Sequence, residues 1–206
     1  MSRKLDTEEI IRISTDEFKQ AKKIPLVVVL DNVRSMHNIG SVFRTSDAYV
    51  VEKVVLCGIT AQPPHPDIHK SALGAEFSVD WEYYADTNDA VATLKAQGYE
   101  VWAIELAENS VMLQDFFNRH TDSPSIFNEV VKDETDSQLS TLNSQLSPKY
   151  AVVLGNEVMG VQQSVIDQCE GCIELPQFGT KHSLNVSETA GIVIWEFFKS
   201  LHDRMT

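Results

Sequence analysis

Positive charge is scarce in this chain: 17 Lys and Arg stand against 30 Asp and Glu, a formal charge of -13. That deficit argues against broad, sequence-blind binding of nucleic acid, which depends on neutralising phosphates with Lys and Arg. Cysteine is rarer still. Cys57, Cys169 and Cys172 are odd in number, and the opening MSRKLDTEEI lacks the apolar core of an export signal, so reduced thiols are expected rather than a disulfide framework. No stretch approaches the roughly 18 uncharged apolar residues of a membrane span, and a cytoplasmic location is the expectation. Neither G-x-G-x-x-G nor the G-K-[ST] ending of a P-loop occurs, so neither a dinucleotide nor a nucleoside triphosphate is indicated.

What is present suits one compact domain with a full core: 206 residues, 43% of them hydrophobic. Apolar runs at 26–30, 53–58, 99–106, 150–155 and 171–176 are short, rich in β-branched residues and closed by polar or glycine turns. Between them the spacing predicts helices over 39–48, 87–97, 161–168 and 186–202. Strands alternating with helices predict an α/β fold, a mostly parallel sheet with helices on both faces, whose ligands bind beyond the carboxyl ends of the strands. Residues 1–24 read as a helical extension, one amphipathic helix over 6–23 or two broken near Ser14, and 25–206 as the main domain. The extension carries Arg3, Lys4, Arg12, Lys19, Lys22 and Lys23, whereas much of the acid lies between Glu76 and Asp136, so a local basic face is compatible with the net charge.

One segment breaks the alternation. Residues 120–148 are rich in Ser, Thr, Asn, Gln and Asp, and SQLS occurs twice within them. The composition favours a mobile surface insertion over a weak helix carried by Leu139, Leu142 and Leu146.

Three segments carry the candidate chemistry. In DNVRSMHNIGSVFRTSDA (31–48), Asn38, Gly40 and Arg44 follow a buried strand; Gly40 permits close backbone approach, and Arg44 lies about one turn into a helix, where it either faces a common cleft with Asn38 or is solvated on a capped helix. In LGNEVMGV (154–161), Gly155 and Gly160 bracket Glu157, an arrangement that frees backbone N–H groups for a ligand. In IELPQFGTKHSLNVSETAGI (173–192), Pro176 and Gly179 demand a loop, while Ser183, Asn185 and Ser187 crowd polar groups at the start of an apolar helix, as caps or as ligand contacts.

Taken together, and in this order, the segments resemble the SpoU (TrmH) family of RNA 2'-O-ribose methyltransferases: Asn38-x-Gly40-x-x-x-Arg44, then Leu154-Gly155-Asn156-Glu157 through Gly160, then Leu175-Pro176 through Ser183-Leu184-Asn185-Val186-Ser187. The resemblance spans about residues 25–200. It implies a SPOUT-class fold with a C-terminal trefoil knot, a homodimer with active sites near the subunit interface, S-adenosylmethionine as cofactor and RNA as partner. It further implies that Leu106, Gly155, Asn156, Leu175, Gln177 and Leu184 bind the cofactor, and that Asn38, Arg44, Glu157, Ser183 and Asn185 form the catalytic set with Arg44 at its centre. Two positions depart from the family pattern: Val50 stands where a glycine is usual, and Gln177 where methionine is common. The short stretch before the first strand leans towards tRNA over rRNA. A noncatalytic RNA-binding or assembly factor with the same fold is the alternative, and a small-molecule methyltransferase is a third reading that an acidic surface would suit.

No metal is expected. His65, Asp67 and His69 sit among Pro63, Pro64 and Pro66, which predicts a rigid exposed loop, and Cys169-x-x-Cys172 lacks the second pair of a zinc site, which leaves packing. Trp81, Tyr83 and Tyr84 could stack on bases, but alternating aromatics in a short strand are expected in the core. His37 and His182 flank the motifs, as RNA contacts or as polar lining.

Overall fold

Strand β1 (Ile24–Asp31) is apolar on both sides, and Leu26 through Leu30 are fully buried. A central parallel strand, covered by helices front and back, requires this pattern. The computed structural model describes residues 3–6, 9, 10, 12–121, 148–181 and 183–202. The 120–148 insertion, apart from its ends, and His182 lie outside them.

Seven parallel strands run in the order β3-β2-β1-β6-β4-β7-β5. They are β1, β2 (Val51–Cys57), β3 (Asp80–Tyr84), β4 (Tyr99–Ile104), β5 (Val111–Met112), β6 (Lys149–Leu154) and β7 (Gly171–Glu174). Side chains alternate across the sheet and so divide between two cores. Leu26, Val28 and Leu30 face Ile39, Val42 and Phe43 of α2 (Met36–Ala48), Phe116 of α6 (Leu113–Thr121) and Val193, Ile194 and Phe197 of α8 (Val186–His202). Val27 and Val29 face Ala90, Val91 and Leu94 of α5 (Thr87–Ala96) and Val165 of α7 (Gln163–Ile166). The expected parallel α/β sheet with helices on both faces is therefore observed. The helix expected over 161–168 shrinks to a single turn.

Several elements lie between the predicted ones. The proline loop does not stay a loop: Pro66 starts α3 (Pro66–Ala72), and His65 caps it by accepting from the Asp67 N–H at 3.2 Å. A fourth short helix, α4 (Ala75–Ser78), follows. β3 is an edge strand, so its aromatics divide. Trp81 and Tyr84 pack against the two cores, while Tyr83 is exposed and donates its hydroxyl to the Gly58 carbonyl. At the N-terminus, α1 (Thr15–Gln20) follows Ser14, which caps it in a reciprocal capping box with Glu17.

Backbone conformation explains two motif positions. A Cβ on Gly40 would lie 2.3 Å from the Ile68 carbonyl oxygen, so α2 and α3 pack closely only because this residue is glycine. Val50, the departure from the family glycine, is held at φ 46. A β-branched residue is strained there, and its partial packing against the sheet core offsets that cost.

Candidate active site

The chain turns in opposite directions from β1, which leads to β2, and from the adjacent β6, which leads past β4 to β7. Such a divergence opens a crevice at the carboxyl ends of the strands. Asp31 closes its base. The carboxylate is fully buried and accepts hydrogen bonds from Asn32 Nδ2 (2.8 Å), Thr87 Oγ1 (2.5 Å), and Gln162 through its backbone N–H (3.1 Å) and Nε2 (3.0 Å). Four donors replace the water that burial removes, so a charge without a counterion is tolerated.

Above this base three loops meet. The Asn156 amide donates to the Asn32 carbonyl (2.7 Å) and accepts from the N–H groups of Val158 and Met159 at 2.9 and 3.2 Å, which shapes the loop after β6. Glu105, directly after β4, accepts from its neighbour Leu106 N–H at 3.0 Å and from Val161 N–H at 2.9 Å. Glu157 reaches across to α2. One carboxylate oxygen accepts from Arg34 N–H at 3.0 Å, the other from Ser35 N–H at 3.0 Å and Asn38 Nδ2 at 3.2 Å. Asn38 Oδ1 then accepts from Asn185 Nδ2 at 3.2 Å, and Asn185 Oδ1 in turn receives Ser187 N–H at 2.8 Å at the start of α8. A polar relay from Glu157 through Asn38 to Asn185 thus joins all three motifs.

Burial acts to push the Glu157 carboxyl up, but the N–H groups of Arg34, Glu157 and Ser35 and the Asn38 amide together hold it below the ordinary carboxylate range. The sign follows from linkage. A carboxyl that titrates lower in the folded state contributes stability above its unfolded value, and that contribution is lost as pH falls through the folded one. The amide proton shifts of Arg34 and Ser35 are expected to titrate together with a midpoint below the ordinary glutamate value, and the transition should vanish in Glu157→Gln. A midpoint at or above the ordinary value would show that the carboxylate does not hold these amides.

The loops enclose a cleft of about 520 Å³. All six residues assigned to cofactor binding line it: Leu106, Gly155, Asn156, Leu175, Gln177 and Leu184. Glu157, Ser183 and Asn185 line it too, and Asn38 is tied to it through the relay. Arg44 does not. It is exposed, makes no hydrogen bond or ion pair among the described residues, and lines a second groove with Arg12, Leu73 and Gly74. Six residues of helix turn the chain about 240° beyond a full revolution, so Asn38 and Arg44 leave α2 in different directions. The shared-cleft alternative therefore fails within one chain.

Sequence reasoning missed Glu105 and Glu174, which also line the cleft, and the buried Asp31 at the end of β1, which lies outside that lining. The signal for Glu105 and Asp31 was a single acidic residue at the end of an apolar strand, the position where α/β sheets put their ligands. The other candidates are absorbed by structure. His69 pairs with buried Glu76 at 2.6 Å, Cys169 Sγ donates to the Val165 carbonyl, and Cys172 is buried. Burial pushes the Cys169 thiol up to about 12, away from reactive thiolate chemistry. His37 is exposed beside the relay. Among the described residues no three His, Cys, Asp or Glu side chains gather as metal ligands, and no helix is long and apolar enough to cross a membrane.

This geometry has relatives. A TrmH-family tRNA/rRNA methyltransferase assignment belongs to a Staphylococcus haemolyticus protein that is 27% identical over 191 residues, covering 91% of this chain and 65% of that protein. The 23S rRNA (guanosine-2'-O-)-methyltransferase RlmB of Neisseria meningitidis is 25% identical over 181 residues, covering 88% of this chain and 61% of its own length. The chain thus spans somewhat under two thirds of both. Among solved structures, the TrmH/SpoU tRNA modifying enzyme of A. aeolicus superposes with a TM-score of 0.69 at 21% identity, over 93% of this chain and 84% of that one. The AdoMet-bound rRNA methyltransferase of Sinorhizobium meliloti gives 0.67 at 23% identity, over 89% and 60%. The model of the SpoU rRNA Methylase family matches residues 25–195, nearly the whole sheet together with all three motifs, and the chain belongs to that family.

Proposed function

We propose that this protein is an RNA methyltransferase that uses S-adenosylmethionine to methylate a ribose 2'-hydroxyl. The observation that carries the reading is the relay from Glu157 through Asn38 to Asn185, set at the mouth of a small-molecule cleft. A volume of about 520 Å³ falls within the range of ligand pockets. The lining fits this cofactor in charge as well. Glu105, Glu157 and Glu174 contribute to it, and no Lys or Arg does among the described residues, which suits a cation and opposes a polyphosphate. When bound, the cofactor supplies an electrophilic methyl group on a positively charged sulfur.

The chain's own groups bind and orient. The loops at Gly155, Leu175 and Leu184 offer backbone polar groups and apolar edges to an adenosine, while Asn38 and Asn185 hold neutral amides where a ribose would enter. Most of the acceleration in such a site comes from alignment of the hydroxyl. Arg44 points to a second copy of the chain. Because its side chain is exposed and has no partner among the described residues, we read it as serving the cleft of a partner subunit in a homodimer, where its fork would grip the phosphate beside the target ribose. The guanidinium stays protonated, so the hydroxyl proton leaves to a phosphate oxygen or water. The family's knotted C-terminal path is part of this reading, because it brings the loops after β6 and β7 together.

The test is transfer of labelled methyl from S-adenosylmethionine to bulk tRNA, bulk rRNA and a control without RNA, followed by nucleoside mass spectrometry. A 2'-O-methylated nucleoside in one RNA class is expected. Methyl on a base, or transfer without RNA, would overturn the reading, and RNA binding without turnover would favour an assembly factor, which the presence of Asn38, Arg44, Glu157 and Asn185 together does not favour.

A further inference from the structure

Large apolar side chains gather at the lip of the cleft as well as inside it. Leu106 from the loop after β4, and Val158 and Met159 from the loop after β6, line the cleft and are 68%, 74% and 82% exposed. Phe178, in the loop after β7, is 97% exposed and directly follows Gln177, which lines the same cleft. A phenylalanine left in water gains nothing for the fold. Three exposed apolar side chains from two loops at one cleft, with an exposed ring one residue from its lining, mark a contact surface.

Electrostatics selects the occupant. The cleft presents Glu105, Glu157 and Glu174 with no Lys or Arg among its described lining, so phosphates are repelled from its interior. A nucleotide that puts its ribose near Asn38 and Asn185 must keep its phosphates outside and turn a neutral surface to these apolar side chains. Its base is that surface. Lys181, three residues beyond Phe178, is exposed and outside the cleft lining, so the same loop carries a cation that could meet the backbone. Unpaired bases are held in this way, by a ring against the base face and a positive charge on the phosphate.

We propose that Phe178 is a stacking platform for an unpaired base of the RNA substrate, next to the ribose that enters the cleft. The inference rests on the RNA methyltransferase reading above. It explains why a fully exposed ring sits on a loop that otherwise serves the cleft.

The test compares Phe178→Ala, Phe178→Leu and Phe178→Trp in the full chain. With whichever bulk RNA accepts methyl, alanine is expected to raise KM for RNA about ten- to a hundredfold, with kcat at saturating RNA and S-adenosylmethionine affinity near the parent values. Leucine should behave as alanine because it lacks a ring, and tryptophan should restore the parent KM. Rescue by leucine, or a changed native mass in sedimentation, would reassign Phe178 to a contact with protein and overturn the proposal. A second readout is independent of turnover. Titration of Phe178→Trp with bulk tRNA and bulk rRNA should quench fluorescence beyond the parent's response, and no added quench with either overturns the platform. If the parent methylates no RNA yet this quench appears, the catalytic reading fails and the platform stands.

Discussion

An Arg44→Ala variant is expected to melt at the parent temperature and to lose on the order of a thousandfold in kcat, the scale seen when one charged or polar group aimed at a reacting centre is removed. The first half follows from structure: the side chain is exposed and engages nothing among the described residues, so its removal costs the fold little. The second half follows from the proposed role, a bidentate grip on phosphate that lysine cannot copy, so Arg44→Lys should recover only a small part. Position makes the prediction sharper. Arg44 lines a groove with Arg12 rather than the cleft that contains Glu157, and in the proposed homodimer a partner subunit supplies it. Mixing Arg44→Ala subunits with Glu157→Ala subunits should therefore restore about a quarter of the wild-type rate, since half of the dimers are mixed and each holds one complete site of two. If every subunit used its own Arg44, mixing would restore nothing.

The sheet was legible because its strands are buried on both faces. LVVVL at 26–30 and YAVVL at 150–154 have no solvent side to display, and that continuity survives translation into one dimension. The edges were harder. β5 has two residues and β3 shows mixed exposure, so neither offers a long apolar run, and α4 spans a single turn. The cleft residues were legible only through the resemblance: nothing in the spacing of Gly155, Leu175 and Leu184 shows that they meet, because the contacts that join them are backbone geometry and a relay spanning 147 positions between Asn38 and Asn185. Spacing left two directions open for Arg44, and the structure takes the solvated one: the helix starts at Met36, more than two turns before it, and rotation decides which groove the side chain enters.

Gly155 is where fold and proposed chemistry meet most tightly, and Gly155→Ala tests both. A Cβ there would lie 2.1 Å from the Gly160 carbonyl carbon and 2.2 Å from the Val161 nitrogen, and backbone cannot swing aside as a side chain can. Asn156 and Gly160 exchange two backbone hydrogen bonds at 3.0 and 2.9 Å that close this loop. Gly160 itself sits at φ 66 against the Glu105 carboxylate. The intruding methyl must therefore spread the loop, breaking the bridge or pulling Val161 N–H from Glu105. Overpacking of this kind costs up to about 3 kcal/mol, which for a chain of this size lowers the melting temperature by roughly 6–12 °C. A second effect should fall on S-adenosylmethionine, whose affinity is expected to drop at least about tenfold, the worth of one or two backbone hydrogen bonds lost from the spread loop. Calorimetry on the variant decides between the two. A lowered melting temperature with unchanged cofactor affinity would mean that the loop after β6 is structural only, and the cofactor would have to be sought elsewhere.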